Sequence, residues 1–330
     1  MWKFDDLPLK GSVPEARIPY SGYIYLDKEG GTSNVLRKYD RAVNNDFSLP
    51  ATSWEQADTS AARTRVRRGF FGRTTYSSEN DWYGHCNGWS AAAIRHAEPQ
   101  HSVTDHGAQF TPADIKGMLA EVYMYNQIEM LAGYETQLNP GTFHAILANW
   151  IGRGSHPIAM DSDPTKEKWN YPIYAYSSSF GKHSQREVEV KTNVAYAKDT
   201  TDREFDKSPP NRKLMSFHYM LNLNERGEIV GGYYFGDSAK IDFVWVPLSP
   251  KQSGAEGNEN GNPHVDVDKV IAIWRKSVST ATRRTWLTVD PVAKDRVVEV
   301  ADPTKLLPRN IRIVPPARAA AKSTEGDKLR

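Results

Sequence analysis

The amino-acid sequence predicts an α+β protein in which a helix that begins near the single cysteine packs against an antiparallel sheet. Two observations predict this fold class. Apolar residues recur at helical spacing between residues 87 and 131, whereas alternating and hairpin-like patterns dominate after Ile173. The chain has 330 residues, of which 39% are hydrophobic and 25% charged. This composition supports a large buried core and excludes a wholly disordered protein.

The clearest helix signals lie in the first half of the chain. The segment Asn87–Ala97 is rich in alanine and stops shortly before a proline. The sequence Thr111-Pro112-Ala113-Asp114 is typical of a helix start, because a threonine cap precedes a proline and an acidic third residue. Apolar spacing then predicts one helix as far as Leu131, with Gly133 as its C-terminal stop. Two further helices are predicted at Ser33–Val43 and Val265–Trp274.

The second half of the chain has the patterns of antiparallel strands. Glu187–Thr192 alternates between apolar and polar residues, which predicts a strand with one buried face. Phe217–Leu223 and Ile229–Tyr234 flank Gly227 and predict a hairpin. Ile241–Pro247 is a further apolar strand that ends at a proline.

Composition excludes several classes of protein. No run approaches the roughly 20 apolar residues that a membrane-spanning helix needs. A net charge of +2 is too balanced for nucleic-acid binding by charge alone, so no nucleic-acid partner is expected. One cysteine excludes an internal disulfide framework. The first residues lack an apolar stretch, and we therefore expect no signal peptide in this chain.

The single cysteine, Cys86, lies between two glycines at the predicted start of a helix. Backbone N–H groups and the positive end of the helix dipole favour a thiolate there, and the same N–H groups favour an oxyanion hole. A buried structural cysteine is the commoner fate of a free thiol, but the surrounding sequence Gly-His-Cys-Asn-Gly is not that of an apolar core. Two upstream side chains, Asn80 and Trp82, are equally good candidates to complete the oxyanion hole.

Two residues downstream complete a candidate set of reactive groups. His144 follows a polar turn and opens an apolar segment whose periodicity fits a helix or a strand. Asp161 ends an apolar strand, where its carboxylate is placed to orient a histidine. The order cysteine, histidine, aspartate suits a thiol nucleophile, so we predict a triad of Cys86, His144 and Asp161.

No metal site or cofactor is expected from the sequence. The histidines near the cysteine do not have the spacing of paired ligands on one helix face. The sequence contains no calcium loop of the Asp-x-Asp-x-Asp-Gly kind, no phosphate-binding loop and no dinucleotide fingerprint. The histidines considered are His85, His96, His101 and His106.

Several segments resemble, in the same order, those of a known family. Cys86–Ala92 followed by Ala97-Glu98-Pro99 resembles the Cys-His-Gly-Trp-Ala-x-Ala…Glu-Pro segment of the transglutaminase elicitor family, the plant-pathogen cell-wall transglutaminases and their bacterial relatives. The similarity covers roughly residues 20–250. Its further blocks are Phe110–Leu119, Asn139–His144, Leu147–Gly152, Trp169-Asn170-x-Pro172, Gly227–Gly232 and Asp242-Phe243-x-Trp245.

This resemblance implies a papain-like core and an acyl transferase with a cysteine nucleophile. Cys86 would attack a glutamine side-chain amide, with His144 as the base and Asp161 as the residue that orients it. A lysine or a small amine would resolve the thioester into an isopeptide bond, so the expected partners are proteins that bear glutamine and lysine. The substrate groove would include Trp82, Trp89, Trp169 and Asn170, together with Asn80.

The resemblance also implies a division of the chain and a location. Residues 1–80 would wrap a catalytic core of residues 81–250, and residues 251–330 would form an exposed loop, a helix and a mobile tail. A secreted or periplasmic location is implied, with the cytoplasm left open. The same triad also serves a cysteine peptidase or a glutamine deamidase, and an inactive binding module that keeps the fold is the alternative of a different class.

Overall fold

In the computed structural model, short helices and strands are mixed in the first half of the described chain, and consecutive strands occupy residues 158–247. The structure describes residues 1–63, 66–68, 74–76, 82–133, 138–163 and 167–286. The helices are α1 (Ser33–Tyr39), α2 (Pro50–Arg63), α3 (Cys86–Arg95), α4 (Pro112–Met124), α5 (Pro140–Ile146), α6 (Val267–Ser277) and α7 (Thr280–Thr285). The strands are β1 (Lys10–Ser12), β2 (Val66–Arg68), β3 (Thr74–Tyr76), β4 (Val103–Asp105), β5 (Ala108–Phe110), β6 (Ile128–Gly133), β7 (Ile158–Asp161), β8 (Asn170–Lys182), β9 (Glu187–Ala197), β10 (Arg212–Leu223), β11 (Ile229–Tyr234) and β12 (Phe243–Pro247).

One large sheet organises the described residues. Seven of its strands follow the order β11-β10-β9-β8-β7-β12-β6, and β1 pairs with β8 beside this path. The pairings within this sheet are antiparallel. The α+β fold class predicted from the sequence is therefore confirmed, and so is the predicted hairpin, since β10 and β11 pair around the turn at Gly227.

The helix that carries the cysteine packs on the sheet as predicted. Helix α3 contacts strands β8, β7 and β12 on one side and helix α4 on the other. The contact with α4 is close at Gly88, where an added Cβ would lie 2.2 Å from the carbonyl oxygen of Ala120. Glycine at this position is what allows the two helix backbones to approach, and the approach fixes α3 between α4 and the sheet.

The helix predicted from residue 112 to Leu131 is wrong in its second half. The threonine cap, the proline and the acidic residue begin α4 as expected, and Thr111 and Asp114 form a capping box. The helix ends at Met124, however, and residues 128–133 form β6, which pairs with β12. Asn126 accounts for the break, because its side-chain amide donates to the carbonyl of Val122 in the last turn. Backbone pairing with a distant strand then outweighs helical spacing.

Helix α2 was missed by the sequence analysis. Its sequence, PATSWEQADTSAAR, is mostly polar and lacks an apolar repeat, so periodicity does not predict it. The helix nevertheless packs on α1 and carries the buried carboxylate of Glu55. The predicted helix near residue 265 is observed as α6, which packs on α4.

Elements from both ends of the described chain pack on the central part. Strand β1 pairs with β8, and α6 contacts α4 and β4. The division into 1–80, 81–250 and 251–330 stays a prediction, and most of its final segment lies outside the described residues. Within the residues that the structure describes, the helices are too short or too polar to cross a bilayer.

Candidate active site

Cys86 is the first residue of α3 and lies at the edge of a cavity of about 210 Å³. The side chain is 9% exposed, so the thiol is nearly buried but still borders open space. The cavity is lined by Asp27, Trp82, Tyr83, Gly84, Cys86, Asn87, Met124, Asn126, Ile128, Lys168, Asn170, Phe243 and Trp245.

The sulfur of Cys86 has hydrogen-bond partners on β8 and just before it. The thiol donates to the carbonyl oxygen of Lys168 at 3.4 Å, and the side-chain amide of Asn170 donates to the sulfur at 3.6 Å. Burial raises the pKa of the thiol, and the nearby charge of Asp161 also raises it. Hydrogen bonds from the backbone and side chain of Asn170 and from the backbone of Asn87 act in the opposite direction. The net effect is a raised pKa of the thiol, which disfavours the thiolate that the sequence predicts.

Asn170 is held in one orientation by two neighbours. The indole N–H of Trp245 donates to its side-chain oxygen at 2.8 Å, and the hydroxyl of Ser90 donates to its backbone carbonyl at 2.8 Å. Because the side-chain oxygen is occupied by a donor, the amide NH₂ group faces the sulfur. A predicted groove residue is thus found in hydrogen-bonding contact with the nucleophile candidate.

Asp161 lies at the end of β7, beside the first residue of β8, as the sequence predicts. One of its carboxylate oxygens accepts a hydrogen bond from the backbone N–H of Trp169 at 2.8 Å. The other lies 3.3 Å from the ammonium group of Lys168, which also contacts Asp242 at 2.6 Å. Burial raises the pKa of Asp161 to about 6, although the Trp169 N–H and the Lys168 charge act in the opposite direction. With a pKa of about 6, this buried carboxylate is mostly ionised at neutral pH and can act as a proton acceptor.

His144 is in a different part of the fold. It lies on α5, which packs mainly on β11 and β10, whereas α3 packs on β8, β7 and β12. Its Nδ1 pairs with the hydroxyl of Tyr219 at 2.8 Å, and its ring stacks on Phe4. Burial lowers the pKa of His144 to about 4. Among the described residues, its hydrogen bonds and ring contacts reach neither Cys86 nor Asp161, and its Nε2 has no hydrogen-bond partner.

The remaining predicted groove residues take different positions. Trp82 lines the cavity at the cysteine. Trp89 is buried, and its indole N–H donates to the carbonyl of Tyr20 at 3.3 Å. The indole of Trp169 donates to Glu167 at 2.8 Å, while its backbone N–H serves Asp161. Asn80 lies outside the described residues.

Three polar neighbours of Asp161 and Asn170 were not predicted as site residues from the sequence. Lys168 and Asp242 form the ion pair beside Asp161, and Trp245 orients Asn170. Asp242 directly precedes β12, the strand that pairs with β7, so neighbouring antiparallel strands bring it to Asp161. The sequence signal was an acidic residue at one end of each of two apolar strands, Asp161 as the last residue of β7 and Asp242 just before β12. Pairing of β7 with β12 could not be read from sequence alone.

A second buried cluster adjoins the cysteine. His85 lies next to Cys86 in the chain, and its Nε2 is 3.2 Å from Glu121 on α4 and 3.4 Å from Glu55 on α2. The two carboxylates raise the pKa of His85 to about 10 against the effect of burial. Burial and the nearby Glu121 charge raise the pKa of Glu55 to about 8. The sequence signal for this cluster was Glu121, a charged residue within the apolar segment of α4. A carboxylate on the buried face of a helix requires a polar partner.

Part of the chain that includes Cys86 matches a known protein family. Residues 51–136, which include α3 and α4, match the family model described as Transglutaminase elicitor. The resemblance to the transglutaminase elicitor family that the sequence predicts is confirmed over this segment. The family match covers Cys86 but not Asp161 or Asn170, which lie beyond residue 136. A search of curated proteins finds no significant match.

A solved structure shares the fold of this chain. The crystal structure of the GP42 transglutaminase from Phytophthora sojae matches with a TM-score of 0.66 at 20% sequence identity. The match covers 84% of this chain and 93% of that protein. At this identity the similarity establishes a transglutaminase-like fold over most of the chain.

Proposed function

We propose that the protein is a protein-glutamine γ-glutamyltransferase that forms isopeptide bonds through a thioester on Cys86. The observation that carries the proposal is the contact between the Cys86 sulfur and the oriented amide of Asn170. Asp161 lies on the other side of the Lys168–Trp169 peptide group, whose carbonyl accepts from the thiol. A thiol at a helix start, an amide donor and a carboxylate of raised pKa are the groups that acyl transfer requires.

In the first half of the reaction, the thiol attacks the carbonyl carbon of a glutamine side chain. The substrate carbonyl displaces the Lys168 carbonyl from the sulfur, so that the thiol proton can pass to the carboxylate of Asp161. The substrate carbonyl oxygen becomes an oxyanion near the Asn170 amide and the start of α3. When the tetrahedral intermediate collapses, the proton returns to the leaving amide nitrogen. Ammonia departs, and the glutamyl group is left as a thioester on the sulfur.

In the second half, a primary amine such as a lysine side chain attacks the thioester. Its proton passes to the carboxylate and then to the sulfur, which leaves as the thiol. The net reaction joins one carboxamide and one amine, releases one ammonia and restores the enzyme. Water in place of the amine gives glutamate instead, which is deamidation.

Asp161 is favoured as the base over His144. The backbone N–H that serves Asp161 belongs to the peptide group whose carbonyl accepts from the thiol. The ring of His144 is paired with Tyr219 and stacked on Phe4, and a pKa of about 4 makes it a weak base. The triad with His144 stays a prediction, and variants of the two residues separate the alternatives.

The experiment is incorporation of a fluorescent primary amine into a glutamine-bearing protein, with ammonia release measured in parallel. We expect both signals from the full chain and neither from Cys86→Ala. Ammonia without amine incorporation would identify a deamidase, and peptide fragments without ammonia would identify a peptidase. Absence of all three products from the folded protein would leave a binding module that keeps the fold.

A further inference from the structure

The cluster around His85 has the composition and spacing of a metal site. Within the described residues, the ring Nε2 of His85 and one carboxylate oxygen each from Glu55 and Glu121 lie within 4.8 Å of one another. The three side chains are at most 3% exposed. One imidazole and two carboxylates are ligands that first-row divalent metals, zinc in particular, accept in proteins.

The distances agree with a tetrahedral ion. The Nε2 atom of His85 is 3.2 Å from the Glu121 oxygen and 3.4 Å from the Glu55 oxygen. Zinc bonds of about 2.0–2.1 Å at tetrahedral angles place two ligand atoms about 3.3 Å apart. The histidine nitrogen therefore already stands at the separation from each carboxylate oxygen that such an ion would impose, and the three ligand atoms lie within 4.8 Å of one another.

Neighbouring groups hold the ligand atoms in position. The Nδ1 of His85 lies 3.3 Å from the backbone carbonyl of Tyr25, which accepts its proton and leaves the Nε2 lone pair toward the carboxylates. The backbone N–H of Thr32 donates to Glu55 at 3.0 Å, and its hydroxyl donates to Glu121 at 2.6 Å. Metal-ligating histidines and carboxylates in proteins are typically supported in this way.

Charge balance in the buried cluster is compatible with a divalent ion. Two carboxylates and a neutral imidazole carry a charge of −2, which a divalent cation neutralises. Without an ion, two protons have to fill this role, one on the imidazole and one on a carboxylate. One divalent metal thus replaces two protons with no change in net charge.

We propose that Glu55, His85 and Glu121 form a structural zinc site, with the fourth position taken by a second carboxylate oxygen or a water molecule. The ligands come from α2, from the residue before α3 and from α4. The ion joins these three elements directly beside the nucleophile candidate. Because the cluster is buried, the metal enters while the chain folds.

The test is the metal content and the thermal stability of the full chain. The protein is unfolded in denaturant with a chelator and refolded with or without zinc, and bound zinc is measured by mass spectrometry after desalting. We expect about one tightly bound zinc per chain and a higher Tm for the zinc-refolded sample. In Glu121→Gln and Glu55→Gln, the bound zinc and the zinc-dependent rise in Tm are lost.

Two control variants locate the ion. Cys86→Ser removes the nearby thiol and should retain the zinc. Glu189→Gln removes a carboxylate that the exposed His183 and the half-buried His218 contact, far along the chain from the cluster, and it should also retain the zinc. X-ray absorption of the zinc-loaded protein should show nitrogen and oxygen ligands without sulfur, a readout that stands even where a ligand variant folds poorly.

Three results would overturn the proposal. The first is zinc-refolded wild-type protein that holds no zinc and has an unchanged Tm. The second is loss of the zinc in Cys86→Ser, or sulfur ligation in the absorption spectrum, which would place the ion on the thiol. The third is a folded Glu121→Gln variant that binds as much zinc as the wild type.

Discussion

Cys86 and Asp161 hydrogen-bond to opposite sides of one peptide group, the one that joins Lys168 to Trp169. The thiol donates to the carbonyl oxygen of this group at 3.4 Å, and its N–H donates to the carboxylate at 2.8 Å. Since the carbonyl and the N–H of a trans peptide point in opposite directions, the group stands between sulfur and carboxylate. The carbonyl occupies the position beside the sulfur that a substrate carbonyl would need.

The acid side of the pH profile should report Asp161. Burial raises its pKa to about 6, and only the ionised carboxylate can take a proton from the thiol. We therefore expect kcat/KM for amine incorporation to fall as the pH decreases through about 6. Asp161→Asn should lower the rate by about 10²–10⁴-fold and remove this limb. Asp163→Asn, the same change two residues away, is the control, and an unaltered profile in Asp161→Asn would exclude the role.

Lys168 and Asp242 should shift this acid limb in opposite directions. The ammonium group of Lys168 stabilises ionised Asp161, so Lys168→Met should raise the pKa of that carboxyl and move the limb to higher pH. In Asp242→Asn, a nearby negative charge is lost and the ammonium pairs with Asp161 alone, so the limb should move to lower pH. Shifts of the same sign in the two variants would contradict the assignment.

The orientation of Asn170 should matter for rate. Asn170→Ala removes the amide donor at the sulfur, and a loss of about 10²–10³-fold in kcat is expected for an oxyanion donor. Trp245→Phe removes the indole N–H that fixes the amide, a hydrogen bond of about 1 kcal/mol, and should cost roughly fivefold. Trp274→Phe is the matched control. The buried indole of Trp274 lies on α6 and donates to the carbonyl of Ala97, just after the end of α3, so this change does not touch Asn170. Equal losses in the two tryptophan variants would indicate general destabilisation.

His144 should affect stability in acid more than it affects catalysis. Its pKa is about 4 in the folded chain and about 6.5 when unfolded, so between these values the unfolded state binds a proton that the folded state does not. The stability that the neutral ring contributes is present above pH 6.5 and is lost as the pH falls toward 4, by about 3 kcal/mol.

Chemical denaturation of the wild type and His144→Gln between pH 4 and pH 7 measures this difference. The wild type should lose more free energy of unfolding on acidification than the variant. The exposed His183→Gln is the control. At pH 7 we expect His144→Gln to keep amine incorporation within about tenfold of the wild type; a loss as large as that of Asp161→Asn would instead identify His144 as the base.

Local signals in the sequence predicted the elements that present the nucleophile. The alanine-rich segment and the capped start at Thr111 gave α3 and α4, since caps and helix periodicity depend on neighbouring residues. The same logic placed Asp161 at a strand end. Periodicity failed where tertiary pairing decides, as at residues 128–133, whose backbone pairs with β12 instead of continuing α4.

The partners of the cysteine were harder to predict, because they depend on which strands become neighbours. His144 had the right position in the chain for a triad, yet its helix packs on β10 and β11. Lys168 and Asp242 meet only because β7 lies between β8 and β12. Glu55 is on a helix without apolar periodicity, so neither the helix nor its buried carboxylate could be predicted from residue spacing.

The close approach of Gly88 to the backbone of Ala120 leaves no room for a side chain there and determines how near α3 lies to α4. Cys86 lies about half a helical turn from this contact. The position of the sulfur relative to the sheet therefore depends on how closely α3 packs on α4. If the proposed acyl transfer is correct, redesign of the site for bulkier substrates would therefore have to enlarge the opposite wall of the cavity, around Phe243 and Ile128, and leave α3 as it is.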